Sequence, residues 1–245
     1  MTVIVHALVP AGTARRPAAQ AHAICVVGPV AAITSDGRAL GALLTDATAT
    51  EALADLAQAH HALLARYAGE VPLMPLRLGT VFSGPPALRA ALGPGAPAFA
   101  AALAEIGCRQ EYALRLVPVA TPEPPRAPAP DGASFLAAKR ARNTARLTRG
   151  ATRAGVAAAL RAGLAGWPVV DTASHPPRAD RLADLAVLLG PEDMTAFDAL
   201  CATVAAQASA ADLALQVLGP WPAYSFARAP GATLAGEDGP DARAV

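Results

Sequence analysis

The sequence has little of what marks several common classes of function. Its 20 basic and 19 acidic residues leave a formal net charge of +1, and charged residues make up 16% of the 245 positions. No overall field is therefore expected to attract nucleic acid or an anionic membrane. Aromatic residues are only 4% of the chain, and no RNP-like motif is present, which argues against an RNA-binding platform of stacked rings.

Cysteine and long apolar runs are also scarce. Cys25, Cys108 and Cys201 are far apart and form no CxxC pair, so we interpret each as a small buried residue rather than a disulfide or metal ligand. The N-terminus lacks a basic leader followed by a long apolar stretch, which argues against a signal peptide. The longest uncharged run, 17–35, is too polar and too interrupted by proline for a membrane helix. These features predict a cytoplasmic protein that does not act in a membrane.

No motif assigns a catalytic residue, a cofactor or a metal. Phosphate-binding and dinucleotide-binding glycine loops, the serine-hydrolase elbow, the zinc-protease motif and the EF-hand pattern are all missing. His60 and His61 could suggest a metal or general-base pair, but adjacent helical residues point about 100° apart and cannot share a ligand as i, i+4 histidines do. Because His60 falls on the apolar stripe of its predicted helix, we interpret it as a hydrogen-bonded core histidine.

The apolar content is 53%, with alanine the most frequent residue, so the core is lean for the chain length. Six prolines lie between Pro118 and Pro130, and such a stretch is typical of a semi-rigid linker. We therefore predict an N-terminal domain over 1–117, a linker over 118–131, a C-terminal domain over 132–228 and a disordered tail over 229–245.

Both halves are predicted to be α+β. In the first half the order is β-β-β-α-β-α-β, with the first helix starting at a capping box formed by Thr48 and Glu51 and the last strand having one solvated face. In the second half a long helix precedes two strands, a helix and a final strand. The predicted strands are 3–9, 24–27, 30–34, 75–82, 109–117, 167–171, 185–189 and 213–218, and the predicted helices include 85–106 (interrupted at Gly93-Pro94), 133–164 and 191–208.

A row of cations marks the long helix as a candidate interaction surface. Lys139, Arg142, Arg146, Arg149 and Arg153 follow 3, 4, 3, 4 spacing on one face, and no acidic residue occurs between Gly132 and Val170. The face is either solvated, neutralised within the chain, or used to dock an acidic surface. The internal candidates for neutralisation are Asp180, Asp184, Glu192, Asp193 and Asp198.

Two short segments are unusual for their content of proline, glycine and aromatic residues. In Val71–Phe82 an arginine and a glycine interrupt a β-prone apolar run, and each has a cost in a buried strand. We interpret Arg77 as a structural arginine rather than a ligand contact, and Gly79 as a site of close backbone approach or a bulge. Near the C-terminus, Trp221, Tyr224 and Phe226 lie in a proline-flanked segment, where they either cover the C-terminal core, our preferred interpretation, or act as rigid anchors for a partner.

These two segments resemble the signatures of the gas vesicle protein F/L (GvpF/GvpL) family. Residues 75–82, PLRLGTVF, are similar to the family's PLRFGTVF, and residues 219–226, GPWPAYSF, to its GPWPPYSF. The departures are Leu78 for phenylalanine and Ala223 for proline. The histidine pair before the first motif, the strand at 111–116 and the helix start at 132–140 also resemble family blocks, in the same order. The signature residues are Pro75, Arg77, Gly79, Gly219 and Pro220.

The resemblance implies a ferredoxin-like N-terminal domain, a C-terminal α+β domain and no enzymatic activity. It also implies a minor gas vesicle protein in the cytoplasm that binds the major shell protein and other accessory proteins and helps to nucleate or assemble the wall. No cofactor, nucleic acid, membrane or small-molecule substrate is expected. The residues proposed for partner binding are Lys139, Arg142, Arg146, Arg149, Arg153, Trp221 and Tyr224. The alternatives are an interaction module unrelated to gas vesicles, which would use the basic helix on nucleic acid or protein, and a small-molecule enzyme.

Overall fold

A computed structural model describes residues 2–15, 22–38, 50–119, 131–172 and 181–227. Thr48 of the predicted capping box, most of the predicted linker, Asp180 and the predicted tail lie outside these ranges. The chain divides into two compact units, one formed by Met1–Glu111 with the segment that starts at Pro220, the other by Tyr112–Gly219. The segment that starts at Pro220 thus clusters with the first unit, and the predicted division of the chain at a linker over 118–131 stays a prediction.

The first unit is built on a five-stranded sheet in which β1 is central. Strand β3 pairs with β1 on one side and with β2 beyond it, while the short strands β4 and β5 both pair with the other side of β1; all of these pairings are antiparallel. The predicted helix with a glycine-proline interruption is confirmed as two helices joined by a 3-10 turn over Gly93–Gly95. The elements are β1 Val3–Pro10, β2 Ala23–Val27, β3 Val30–Asp36, α1 Thr50–Ala65, β4 Met74–Pro75, β5 Val81–Phe82, α2 Pro85–Leu92 and α3 Ala96–Ile106.

Strand β1 forms because its β-branched and aliphatic residues suit a strand with both faces buried. All of its residues except Pro10 are buried. Helices α2 and α3 bury one stripe each, through Leu88 and Leu92 and through Phe99 and Leu103. The stretch Pro85–Ile106 is long and apolar enough to cross a membrane by length and composition alone, but a 3-10 turn divides it and each of its two helices buries one stripe of side chains in the first unit.

The predicted single strand over residues 75–82 is wrong, because a tight turn interrupts it. The Thr80 amide donates to the Arg77 carbonyl oxygen at 3.1 Å, and Gly79 has φ +89°, as expected for the third residue of a type II turn. Arg77 and Leu78 are exposed at this turn. The arginine therefore carries no burial cost, and the glycine serves the turn rather than a bulge within a strand.

The second unit has a four-stranded sheet in the order β7-β8-β6-β9, together with two helices. Strand β8 is buried along its whole length. The core contains Leu114, Leu160, Val187 and Phe197, so β6, both helices and β8 all contribute to it. The elements are β6 Gln110–Pro118, α4 Gly132–Gly163, β7 Val169–Asp171, β8 Ala183–Leu189, α5 Met194–Ala210 and β9 Leu213–Trp221.

Two predictions about solvent exposure fail. The face of β6 that was expected to be solvated is not, since Glu111 and Ala113 are buried. Among the cysteines, Cys25 is buried as predicted, but Cys108 is exposed and Cys201 is half-buried. Both errors arise because a local pattern does not reveal which distant segment covers a residue.

We expect Gly79→Ala to destabilise the first unit by about 1 kcal/mol, because an alanine at positive φ places its Cβ against the following carbonyl oxygen. The matched control is Gly155→Ala, a position on α4 with open space around it, where alanine is expected to stabilise the helix by roughly 0.5 kcal/mol. Urea unfolding followed by circular dichroism measures both. Equal effects of the two substitutions would contradict the turn assignment.

Candidate functional site

A buried cluster of histidines joins three segments of the first unit. His6 lies where the pairing of β1 with β3 shifts register, between Val5 and Ala7. Its Nδ1 is 2.9 Å from Nδ1 of His60 on α1, and its Nε2 is 2.8 Å from the Ser35 hydroxyl oxygen on β3. His60 is also hydrogen-bonded to the backbone of Leu76, just before the turn at residues 77–80. The prediction of a hydrogen-bonded core histidine at position 60 is thus confirmed.

The hydrogen bonds of His6 and His60 are consistent with one assignment of the donor and acceptor roles of their ring nitrogens. If His60 donates a proton to the Leu76 carbonyl oxygen, its Nδ1 carries a lone pair and accepts from His6 Nδ1–H. His6 Nε2 is then left to accept from the Ser35 hydroxyl. Burial, followed by the proximity of His60 and His22, lowers the pKa of His6 from 6.5 to about 4, and burial also lowers the pKa of His60. The pair is therefore neutral at physiological pH and suited to a structural role.

The terminal signature is held against the first unit by two sets of contacts. The Ser225 amide and hydroxyl both donate to the carboxylate of Glu111, at 2.7 and 2.8 Å. The Tyr224 hydroxyl is 3.0 Å from His61 Nδ1, and the two rings stack with centroids 6.0 Å apart. Our preferred interpretation, that the terminal aromatics cover the C-terminal core, is therefore wrong for Tyr224. The buried Glu111 carboxylate needs donors, and Ser225 supplies two of them.

The signature residues at this end have a conformational role. Gly219 has φ +129°, a value that favours glycine, and Pro220 follows it within β9. Trp221 is partly buried and the side chain of Tyr224 is 38% exposed. Tyr224 thus has contacts that explain its presence without a partner, while part of its ring is open to solvent.

The cations of α4 divide into a neutralised group and an uncovered group. Arg153 donates to the carbonyl oxygens of Ala211 and Asp212, at 3.1 and 3.0 Å, and Arg149 is 3.9 Å from the Asp212 carboxylate. Lys139 and Arg142 have no carboxylate within ion-pair distance among the described residues, and Arg146 contacts only the Asn143 side-chain oxygen, at 3.2 Å. The face is thus partly neutralised inside the chain and partly free.

Two of the acidic residues that were predicted to neutralise this face have other partners. Asp184 pairs with Arg115 and Arg181, and Asp193 accepts from the Trp167 indole and the Gly190 amide. The residue that does lie near the cations, Asp212, follows the end of α5 and was not predicted. Its left-handed backbone, φ +53°, is a conformation that aspartate tolerates better than most residues.

Sequence reasoning also missed His6 and Glu111. For His6 the available signal was a lone polar residue in an otherwise apolar strand; Glu111 shares its strand with Gln110 and Arg115, so no such signal marked it. Neither residue belongs to a metal site, since the described ranges contain no group of three metal-ligating side chains placed to hold an ion. His6 and Glu111 therefore form structural hydrogen bonds, and the exposed cations of α4 form a surface suited to recognition.

We expect the histidine cluster to make stability depend on pH. Because the pKa of His6 is lower in the folded state, the unfolded chain binds more protons between pH 6.5 and 4, and stability is lost as the pH falls through this window. The shift from 6.5 to about 4 corresponds to roughly 3 kcal/mol. His6→Gln should be less stable at pH 7 but have a shallower slope, measured by urea unfolding at a series of pH values. Ser83→Ala, a non-titratable change at an exposed position of the same unit, is the control that keeps the wild-type slope; an unchanged slope in His6→Gln would contradict the assignment.

We expect Ser225→Ala to lower the unfolding free energy by about 1–2 kcal/mol, because it removes one hydrogen bond to a buried carboxylate and leaves only the amide donor. Ser83→Ala, an exposed serine of the same unit, serves as the matched control and should change stability by less than about 0.5 kcal/mol. Thermal and urea unfolding provide the measurement. Equal stability of the two variants would show that Ser225 does not hold the terminus.

Comparison with known structures identifies the fold. The GvpF crystal structure from Anabaena sp. PCC7120 superposes with a TM-score of 0.65 at 12% identity, covering 93% of this chain and 98% of that chain. The GvpF crystal structure from Microcystis aeruginosa gives a TM-score of 0.64 at 13% identity, covering 93% of this chain and 99% of that chain. At such low identity these likenesses establish the mixed α/β fold alone.

Sequence comparison establishes the family. A search of curated proteins gave no significant match. The profile of the gas vesicle synthesis protein GvpL/GvpF family, in contrast, matches residues 6–228, a range that includes both signature segments, the histidine pair and the whole of α4. The chain belongs to the GvpL/GvpF family of gas vesicle synthesis proteins.

Proposed function

We propose that this protein is a non-enzymatic accessory and minor structural protein of gas vesicles. It binds the major shell protein, keeps it from aggregating and helps to nucleate or assemble the wall in the cytoplasm. The observation that carries the proposal is the family match over residues 6–228. The match makes the protein gas vesicle-related, and it counts against an interaction module unrelated to gas vesicles.

The physical logic concerns the shell protein before assembly. A protein that lines a gas compartment has an apolar surface, which is an aggregation hazard until it is covered. A soluble partner that binds the unassembled subunit lowers the concentration of the free form by mass action. The described residues provide a stable scaffold for such binding, with two packed cores.

The arrangement of titratable residues supports a role without catalysis. Enzymes place acids, bases or nucleophiles with shifted pKa values in a cleft where substrate can reach them. Three of the groups with shifted pKa values, His6, His60 and Glu111, are buried and hydrogen-bonded to neighbouring structural residues. The half-buried Cys201 has its pKa raised to about 11 by burial and by Asp198, so its thiol is not activated as a nucleophile.

Co-expression with the major gas vesicle shell protein in a heterologous host tests the proposal. We expect the affinity-tagged full chain to carry the shell protein into the soluble fraction and to co-elute with it in size-exclusion chromatography. Shell protein expressed alone, and with a tagged unrelated protein of similar net charge, provides the two controls. A folded, soluble chain that never co-elutes with the shell protein would overturn the shell-binding role.

The aromatic terminus gives a second readout in the same experiment. Trp221 and Tyr224 remain candidates for partner contact because each is only partly buried. Tyr224→Phe removes the hydroxyl bonded to His61 but keeps the ring, whereas Tyr224→Ala removes both. A loss of co-elution with Tyr224→Ala, but not with Tyr224→Phe, is the result expected if the ring contacts the partner.

A further inference from the structure

The cations of α4 occupy the same row of the helix that α4 uses for packing inside its own unit. Positions 135, 139, 142, 146, 149, 153, 156 and 160 follow alternating steps of four and three, the a and d spacing of helices that pack along one seam. Val156 and Leu160, at one end of this row, are buried in the core of the second unit. We call this row of eight positions the α4 seam; its basic part, from Lys139 to Arg153, continues the part that packs in the core.

Helix α5 covers only part of this seam. A Cβ at Gly163 would clash with the Leu200 side chain, so α5 is in close contact there. At the other end of α5, the carbonyl oxygens of Ala211 and Asp212 accept from Arg153. Along the seam, α5 thus runs antiparallel to α4 and ends beside Arg153 and Arg149.

The rest of the seam is bare among the described residues. From Phe135 to Arg146 it extends for about 17 Å, at 1.5 Å per residue. Lys139, Arg142 and Arg146 lie exposed along it. Phe135 at its start is 52% exposed, and Leu136 and Leu147 to one side are also exposed.

We propose that this bare part of the α4 seam binds an acidic amphipathic helix of another protein, lying in line with α5. The inference rests on the proposed function, because it supplies a binding surface for a gas vesicle protein. The internal contact between Arg149 and Asp212 is a precedent for a carboxylate on this row. Glutamates at a and d positions would continue that pattern, and apolar residues beside them would cover Phe135 and Leu136.

Charge and apolar content decide between possible occupants. A second copy of this seam is disfavoured, because it would place cation against cation along the whole contact. A nucleic acid backbone would satisfy the cations but leave Phe135, Leu136 and Leu147 in water. An acidic helix matches both the charges and the apolar side chains.

A synthetic peptide tests the proposal with the full chain. The probe is an acidic helix of about three heptads, with glutamate at every a and d position, leucine at one flanking position and a fluorescent label. Its binding is measured by fluorescence anisotropy at two ionic strengths. We expect Arg142→Glu/Arg146→Glu to weaken binding by at least about tenfold, because two attractive contacts become repulsive.

The matched control is Arg66→Glu/Arg89→Glu, which makes the same change in net charge at exposed positions outside α4. Its dissociation constant should stay within about twofold of the wild-type value. Circular dichroism checks that each variant is folded, and Lys139→Glu/Arg142→Glu replaces the first variant if that one is not. A peptide with the same composition but with the glutamates spread around the helix should bind more weakly than the probe.

Several outcomes would overturn the inference. The inference fails if the probe shows no binding to the full chain, or if the seam and control variants weaken its binding equally. It also fails if the rearranged peptide binds as tightly as the probe, or if a short DNA duplex binds more tightly than the probe. The co-elution experiment with the shell protein is independent of this titration. If the shell protein does not co-elute but the peptide binds, only the shell-binding role is overturned. If the shell protein co-elutes but the peptide does not bind, only the proposed use of the seam is overturned.

Discussion

The first unit depends on a polar side chain buried in the middle of its central strand. Strands β3, β4 and β5 all pair with β1, so the register of β1 positions the sheet. An imidazole at position 6 that lost its partners would cost a few kcal/mol, and its partners come from β3 and α1. Since a slip of one residue would turn His6 to the other face, the hydrogen bonds of this histidine select a single register.

The adjacent histidines of α1 give the two signature segments a common physical explanation. His60 and His61 point about 100° apart, which is why they cannot form a shared ligand site. Instead, His60 is hydrogen-bonded to Leu76 in the first signature, and His61 contacts Tyr224 in the second. Two segments that are far apart in sequence are thus attached to one turn of one helix. Leu76 and Tyr224, within the signature segments, therefore help to hold the first unit together and need not mark the surface that binds a partner.

The sequence predicts most helices and strands because their apolar residues recur with the period of the element that buries them. It fails where a contact from a distant segment decides the outcome. The alternation in β6 indicates a solvated face, yet Glu111 is buried and bonded to Ser225, which lies 114 residues later. In the run at 75–82, Gly79 is compatible with a bulge or with a turn, and its positive φ with the Thr80–Arg77 backbone hydrogen bond reveals the turn. For the basic face, the spacing predicts the row of cations, but the end of α5 beside Arg153 determines which of them are free.

The exposed N-terminal turns of α4 remain helical without a partner, and this pre-formed helix affects the free energy of binding. Asp131 caps the helix by accepting from the Ser134 amide at 2.7 Å, and alanine and arginine, the main residues of the segment, are good helix formers. The rest of α4 is anchored in the core, so the bare turns only extend an existing helix and avoid the cost of nucleation. Repulsion between neighbouring cations costs only tenths of a kcal/mol per pair. Because the backbone of this surface is already ordered, binding costs little backbone entropy. The contribution of complementary charge along the seam is then set by the ordering of the exposed Lys and Arg side chains and by the desolvation and screening of their charges.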